Sequence, residues 1–210
     1  MLKTCSSFVQ KVLEELKVSL IAIDEAHCVS QWGHDFRPEY LQIAQVTRSF
    51  ARIPRLALTA TADKQTRREI LDKLALSKAV CFVSGFDRPN IQYRVRVKRN
   101  PKQQLLRFLR YEHADHAGIV YVRTRKRADE LGVWLNGQGI RSLVYHAGLD
   151  STTRMTHQTR FLREDGWVVV ATIAFGMGVD KADIRLVIHA DVPKPPEAYY
   201  QEAGRGGRDG

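Results

Sequence analysis

Two adjacent carboxylates, Asp24 and Glu25, follow a short apolar run at residues 18–23 and precede His27. The run is too short for a helix and contains β-branched residues, which predicts a buried strand. Carboxylates directly after a buried strand lie at the sheet edge where α/β folds bind ligands. An aspartate there can hold Mg²⁺, and an adjacent carboxylate can orient or deprotonate an attacking water. Taken alone, the pair fits an acidic turn without chemistry equally well.

The loop after these carboxylates is rich in aromatic, polar and cationic side chains, from Gln31 through Trp32, His34 and Phe36 to Arg37. The complete stretch of residues 21–40 therefore favours a functional site over a plain turn. Further along, Thr59 and Thr61 end another short apolar strand among small residues. Threonine hydroxyls at that position can bond carboxylates or a neighbouring histidine.

Strand-like and helix-like patterns alternate along the whole chain, and Asp63 is placed to cap a helix. Helical segments between short, nearly all-apolar strands predict an α/β fold with parallel sheets covered on both faces. The predicted strands are residues 18–23, 55–59, 79–84, 91–97, 118–122, 142–145, 167–171 and 186–189. The predicted helices after residue 100 are 102–111, 125–136 and 152–163.

The segment 85–90 disfavours regular structure because it contains a glycine and an Arg-Pro step. It predicts a boundary between two similar α/β domains, residues 1–90 and residues 91–210. The chain carries 33 Lys and Arg against 23 Asp and Glu, a net charge of +10, which favours a polyanionic partner. Net charge alone also fits a merely basic surface. Eleven basic residues between residues 94 and 127, against only two acidic ones, favour a track for a phosphate backbone.

Composition also excludes several classes of protein. The three cysteines are widely spaced, which argues against a zinc site or a disulfide framework and fits a reducing interior. No apolar run approaches the roughly 18 residues that a membrane span needs.

The second half contains groups suited to phosphate. Thr124 and Arg125 follow one strand, and two glycines, at 176 and 178, follow another and would allow a ligand to approach the backbone closely. His146 also ends a strand, but a single histidine is more often structural than functional. Arg205 and Arg208 are three residues apart, so on a helix they would share a face. Paired guanidiniums can reach a triphosphate held by another domain, and such an arginine finger accelerates hydrolysis by ~10³–10⁵.

Six motifs together identify a resemblance. They are DEAHCVSQWGHDFRPEY, LALTATA, FDRPN, YHAGL, VVVATIAFGMGVDK and YYQEAGRGGRDG, and they span essentially the whole chain. The set resembles the RecQ family of superfamily 2 DNA helicases, and the CVSQWGHDFRPEY portion is close to diagnostic. The resemblance implies two RecA-like lobes, the first incomplete here, with ATP between them. It also implies 3′-to-5′ translocation on single-stranded DNA and duplex unwinding in recombination and repair.

The resemblance also implies roles for individual residues. Asp24 would hold Mg²⁺, Glu25 would activate the hydrolytic water, and His27 would couple the lobes, with relay through Thr59 and Thr61. The ATP-binding set would be Asp24, Glu25, Asp180, Gln201, Arg205 and Arg208, with Arg208 the better finger candidate and Arg205 also catalytic. The DNA-binding set would be Ser30, Gln31, Trp32, His34, Phe36, Arg37, Thr124, Arg125 and Thr172.

The chain contains no Gly-Lys pair and hence no phosphate loop of the G-x-x-x-x-G-K-[ST] type. We expect a helicase fragment that also lacks the family's zinc-binding and winged-helix regions. Such a protein would act inside the cell, in the cytoplasm or nucleoid of a bacterium or the nucleus of a eukaryote, in an oligomeric state that the sequence leaves open. Two alternatives remain: an inert, truncated protein that binds single-stranded DNA or a partner, and an RNA helicase of the DEAH type, which the DNA-type aromatic loop disfavours.

We expect negligible ATP hydrolysis from the 210-residue polypeptide alone, because nothing in it cradles the β- and γ-phosphates. Phosphate release from the purified chain, with and without single-stranded DNA, measures this. DNA-stimulated release that disappears in Glu25→Gln would contradict the expectation.

Overall fold

The computed structural model describes residues 11–12, 15–31, 36–48, 50, 52–85, 88–176, 179–193 and 196–209. Trp32, His34 and Gly178 lie outside these described residues. The chain divides into two compact units, Met1–Ser84 and Gly85–Gly210. The units are therefore described one at a time.

The first unit is built on two parallel strands, β1 (Ile21–Ile23) and β2 (Arg55–Ala57). A 3₁₀ turn (Ala26–Val29) follows β1, and the described part of the unit also contains the helices α1 (Glu39–Arg48) and α2 (Lys64–Lys73). The buried core consists of apolar side chains from β1, the 3₁₀ turn and both helices: Ile23, Ala26, Val29, Ala44, Ile70, Leu74 and Leu76.

Asp63 caps α2 as the sequence predicts. Its Oδ1 accepts a hydrogen bond of 2.7 Å from the Thr66 backbone N–H, which is one of the unpaired donors of the first turn. This bond stabilises the charged carboxylate and so lowers the pKa of Asp63. Capping fixes where α2 begins, immediately after the Thr59–Thr61 segment.

The predicted strand at 79–84 is wrong. These residues form no strand, and Val80, Phe82 and Val83 are 78%, 93% and 65% exposed. An apolar β-branched run becomes a strand only when neighbouring backbone groups pair with it. Among the described residues, the sheet of this unit contains only β1 and β2, so the run lacks a partner there.

The second unit contains one four-stranded parallel sheet in the order β4-β5-β3-β6. Its strands are β3 (Gly118–Tyr121), β4 (Ser142–Tyr145), β5 (Val168–Ala171) and β6 (Leu186–His189). Its helices are α3 (Pro101–Arg107, continued by a π-helical turn at Phe108–Glu112), α4 (Arg125–Gly137), α5 (Ser151–Arg163) and α6 (Pro196–Ala203). The predicted parallel α/β fold is confirmed.

The central strands β3 and β5 are buried on both faces, which is why their sequences are nearly all apolar. Alternate residues enter two separate cores. One face packs Ile119, Tyr121, Val169 and Ala171 against Phe161 and Phe175. The other packs Val120, Val168 and Val170 against Leu131 and Leu135 of α4. The sheet is thus clamped rigidly between its helices.

The predicted strand at 91–97 is also wrong. The segment forms no strand, and Val95 and Val97 are 98% and 80% exposed. The alternation of apolar and charged residues therefore neither marks a buried face here nor carries information on backbone pairing. The cations on its other face are held by carboxylates: Arg94 by Glu112 at 2.9 Å, and Lys98 by Asp191 at 3.5 Å.

We expect limited proteolysis to degrade residues 1–84 before residues 100–210. The two-stranded sheet seen among the described residues of the first unit is marginal by itself. The four-stranded sheet, whose central strands are buried on both faces, opens only with the whole second unit. Mass spectrometry of a trypsin time course measures the order of cleavage. Equal resistance of the two segments would contradict this expectation.

Candidate functional site

Asp24 and Glu25 lie where β1 ends. Asp24 Oδ1 accepts a hydrogen bond of 2.8 Å from the Glu25 N–H, and Glu25 adopts the left-handed conformation with φ of 49°. A residue other than glycine pays a conformational cost there, and such strain concentrates at functional sites. The sharp bend lets the Ala26 N–H reach the Leu58 carbonyl at 2.9 Å, so it ties the acidic turn to the end of β2.

His27 joins the acidic motif to the threonine motif. Its ring is 3% exposed, and its Nδ1 lies 2.9 Å from Thr59 Oγ1. The same nitrogen lies 3.2 Å from Glu25 Oε2, an ion pair only when the ring is protonated. Thr59 Oγ1 in turn contacts the N–H and the carbonyl of Thr61, both at 3.2 Å. The hydroxyl therefore makes the contact with a histidine that the sequence suggested.

Two buried oxygens at this edge make no hydrogen bond within the described residues: Glu25 Oε2 and Thr61 Oγ1. Buried polar atoms nearly always have a partner, so an orphaned pair marks a place for a further group. Asp24 and Glu25 add carboxylate oxygens, the ligands that Mg²⁺ and its bound waters prefer. The residues present therefore fit a magnesium ion and its attached phosphate.

Helix α2 anchors the start of the aromatic loop. Ser30 is fully buried, and the Gln31 N–H donates to Glu69 Oε2 at 3.2 Å. Lys73 Nζ also contacts that oxygen at 2.7 Å, and this bond lowers the pKa of Glu69. Sequence reasoning missed both residues, although their i,i+4 spacing is a recognisable signal of an ion pair.

The other end of the loop is fixed by a single backbone bond. The Arg37 N–H donates to the Cys28 carbonyl at 2.9 Å. Phe36 and Arg37 are half-buried, while Trp32 and His34 lie outside the described residues. The described part of the loop therefore returns to the 3₁₀ turn that carries His27.

In the second unit, Thr124, Arg125 and Thr172 follow β3 and β5 at the carboxyl edge of the sheet. Thr124 Oγ1 caps α4 by accepting from the Arg127 N–H at 3.2 Å. Because β3 and β5 are parallel neighbours, the three residues lie at the same edge of the sheet. This is the edge at which α/β folds bind ligands.

His146 has a structural role in this unit. Its Nδ1 accepts from the Gly148 N–H at 3.1 Å, which leaves Nε2 as the protonated nitrogen in the neutral ring. Nε2 lies 3.0 Å from Asp129 Oδ1 of α4. The histidine is 5% exposed and braces the turn after β4 against that helix.

The two arginines of the carboxy-terminal motif have different environments. Arg208 Nη1 contacts Asp180 Oδ1 at 2.7 Å, and this carboxylate is 90% exposed. Arg205 lies deeper, against Gly176 and near Tyr121, and its Nε is buried without a hydrogen bond among the described residues. Burial raises the pKa of Tyr121 to about 12, so the phenol stays neutral beside this guanidinium.

The basic stretch is partly neutralised. Glu112 pairs with Arg94 and Arg96 at 2.9 and 3.6 Å. Asp191 likewise pairs with Lys98 and Arg127, at 3.5 and 3.7 Å. Four of its eleven cations are therefore shared between two carboxylates, and the phosphate track is weaker than the sequence count indicates.

Two family models match the chain. The model of the helicase conserved C-terminal domain matches residues 100–210, and the DEAD/DEAH box helicase model matches residues 2–70. The chain belongs to the helicase family. The matched regions include the sheet edge with Thr124 and Thr172 and the acidic turn with Asp24 and Glu25.

Relatives at high identity carry the RecQ name, which confirms the resemblance. The ATP-dependent DNA helicase RecQ of Pasteurella multocida is 46% identical over 94% of this chain and 31% of its own length. The RecQ-like DNA helicase BLM of Xenopus laevis is 42% identical over 97% of this chain and 15% of its own length. This chain thus spans a third or less of these two relatives.

The fold is shared with a solved helicase structure. Dbp5 of S. cerevisiae, bound to RNA and ADP BeF3, superposes with a TM-score of 0.71 at 18% identity, over 95% of this chain and 54% of the other. At this identity the likeness concerns the fold. The predicted RecA-like fold class is thereby confirmed.

The described residues show neither a membrane-crossing helix nor a cluster of metal ligands. No helix there combines the length and apolar character that crossing a membrane requires. In the same part of the chain, no three His, Cys, Asp or Glu side chains come together as a metal cluster.

We expect Thr59→Val to destabilise the first unit by about 1–3 kcal/mol, since it leaves the buried His27 nitrogen without its hydroxyl partner. Urea denaturation of wild type and variant measures the difference in the free energy of unfolding. Thr59→Ser retains the hydroxyl and is the matched control. A loss of stability in the serine variant, with none in the valine variant, would show that the methyl group, and not the hydrogen bond, matters.

Proposed function

We propose that this chain is the part of an ATP-dependent DNA helicase that holds the hydrolytic carboxylates and the arginine finger. The complete enzyme moves 3′-to-5′ along single-stranded DNA and unwinds duplexes in recombination and repair. We assign the domains to residues 1–90 and 91–210, whereas the compact units of the structure divide between Ser84 and Gly85. A protein with this task works inside the cell, where its DNA is.

The observation that carries the proposal is a row of contacts at this edge: Glu25 Oε2 lies 3.2 Å from His27 Nδ1, and that nitrogen contacts Thr59 Oγ1, which in turn contacts the Thr61 backbone. Thr61 Oγ1 is buried without a hydrogen bond among the described residues. Asp24 is the residue that would hold Mg²⁺, which neutralises phosphate charge when bound. Glu25 would accept the proton of the attacking water. His27 and Thr59 then connect the state of that carboxylate to the end of β2.

The second unit supports the proposal through Arg208, Arg205 and Gln201. Arg208 is exposed and held by Asp180, so exchanging one anionic partner for a phosphate costs little. Arg205, three residues before Arg208, is half-buried, with its Nε fully buried and its guanidinium beside Gly176. Gln201, on α6, contributes an amide to the same end of the unit.

The nucleic acid is DNA in this proposal. The relatives that match at 42–46% identity are named DNA helicases, whereas the RNA-bound Dbp5 shares only the fold. Ser30, Gln31, Trp32, His34, Phe36 and Arg37 form the first contact set. Thr124, Arg125 and Thr172 form the second, at the carboxyl edge of the other sheet. Stacking on each aromatic ring contributes roughly 1–3 kcal/mol.

The test is a hybrid in which this chain follows a RecQ segment that carries a phosphate loop. We expect ATP hydrolysis stimulated by single-stranded DNA and not by RNA. Glu25→Gln is expected to lower kcat by about 10² or more, as removal of a general base does. A coupled phosphate-release assay measures all of these rates.

Glu15→Gln, an exposed carboxylate substitution in the same unit, is the control and should leave kcat unchanged. A hybrid that binds single-stranded DNA by fluorescence anisotropy yet never hydrolyses ATP would support the inert DNA-binding alternative. Stimulation by RNA alone would support the DEAH-type RNA helicase.

A further inference from the structure

The turn between Arg205 and Arg208 is held by both backbone groups of Gly207. The Gly207 N–H donates to the Ile184 carbonyl at 2.9 Å. Its carbonyl accepts from Arg88 Nη2 at 2.7 Å and from Asn90 Nδ2 at 2.6 Å. Both lone pairs of one carbonyl are thus occupied by side chains more than a hundred residues away, within the same unit.

The two donors are arranged before they meet the glycine. Arg88 Nε contacts Asn90 Oδ1 at 3.4 Å, which orients the amide so that its nitrogen points to Gly207. The Ile91 N–H closes the turn on the Arg88 carbonyl at 2.9 Å. In the FDRPN motif, which the sequence showed only as a turn, the side chains of Arg88 and Asn90 are therefore already oriented as a pair of hydrogen-bond donors. We call this pair the fork.

Glycine is required at position 207 on two grounds. Its φ is +59°, and a Cβ there would lie 2.8 Å from Asn90 Nδ2. The fork approaches so closely because there is no side chain in the way. The positive φ and the close contact with Asn90 thus both favour glycine at position 207.

The fork lies one residue from the guanidinium proposed to reach the triphosphate. Arg208 follows Gly207 directly. Besides the backbone bonds of Gly206 to Ala203 and of Gly207 to Ile184, exposed side chains form two ion pairs at the turn, Arg208 with Asp180 and Arg185 with Asp209. Exposed ion pairs contribute little rigidity, whereas a charged donor and an amide on one carbonyl fix a backbone direction.

We propose that Arg88 and Asn90 are positioning residues for the arginine finger: they fix the Gly207 carbonyl and thereby the direction in which Arg208 leaves the backbone. This inference rests on the proposed function. It places the finger under the control of the segment that begins the second unit, at Gly85. A displacement of that segment would be transmitted to Arg208 through two hydrogen bonds.

The first experiment uses the 210-residue chain itself. Hydrogen–deuterium exchange of the peptide covering residues 204–209 is measured in wild type, Asn90→Ala, Arg88→Ala and Gly207→Ala. We expect at least about tenfold faster exchange at this turn in each variant, with unchanged exchange in β3 and β5. Gly137→Ala is the matched control, because a Cβ at Gly137 meets nothing within 4 Å. Unchanged exchange in Asn90→Ala and Arg88→Ala would refute the proposal that these two side chains hold the turn at Gly207.

The second experiment uses the hybrid enzyme described above. Misplacing a catalytic group by about 1 Å costs up to ~10²-fold in rate, so Asn90→Ala and Arg88→Ala should lower kcat by about 10- to 100-fold. The KM for ATP and the Kd for single-stranded DNA should stay within about twofold, and Arg88→Lys should restore part of kcat. A loss that falls on KM, or no loss, overturns the positioning role. An inactive wild-type hybrid refutes the proposed function instead, while the exchange experiment still decides whether the fork exists.

Discussion

Parallel strand pairing is the constraint on which the functional arrangement of the second unit depends. Because β3 to β6 all run in one direction, every strand ends at the same edge of the sheet. Thr124, His146 and Thr172, which are far apart in sequence, are thereby delivered to a single edge. The sheet can serve as this fixed platform because its two cores immobilise both faces. In the first unit, β1 and β2 follow the same rule on a smaller scale, and the contact of His27 with Thr59 spans their ends.

Much of this arrangement could be read from the sequence. The all-apolar composition of the strands at 118–122 and 167–171 predicted burial on both faces. Asp63 predicted the start of the helix that it caps. Other groups could not be found in this way. Glu69, Arg88 and Asn90 are ordinary polar residues whose importance comes from the atoms they meet, 38 to 119 positions away. No local pattern encodes such contacts, since they arise only when the chain is folded.

The two wrong strands illustrate a second limit. The segments 79–84 and 91–97 have strand composition, but composition describes what a segment could bury, not which backbone it pairs with. Likewise, counting eleven cations between residues 94 and 127 overlooked that Glu112 and Asp191 each serve two of them. The effect of a charge in a folded protein depends on its neighbours, and a carboxylate between two cations offsets part of their positive charge.

The left-handed backbone of Glu25 has an evolutionary consequence. Glycine or asparagine at this position would relieve the conformational cost of a φ of 49° but remove the carboxylate. A β-branched residue would both raise that cost and lose the chemistry. If Glu25 has the proposed role, selection for thermal stability and selection for turnover pull this one position in opposite directions. Substitutions that stabilise the acidic turn would then lower the rate of the proposed hydrolysis.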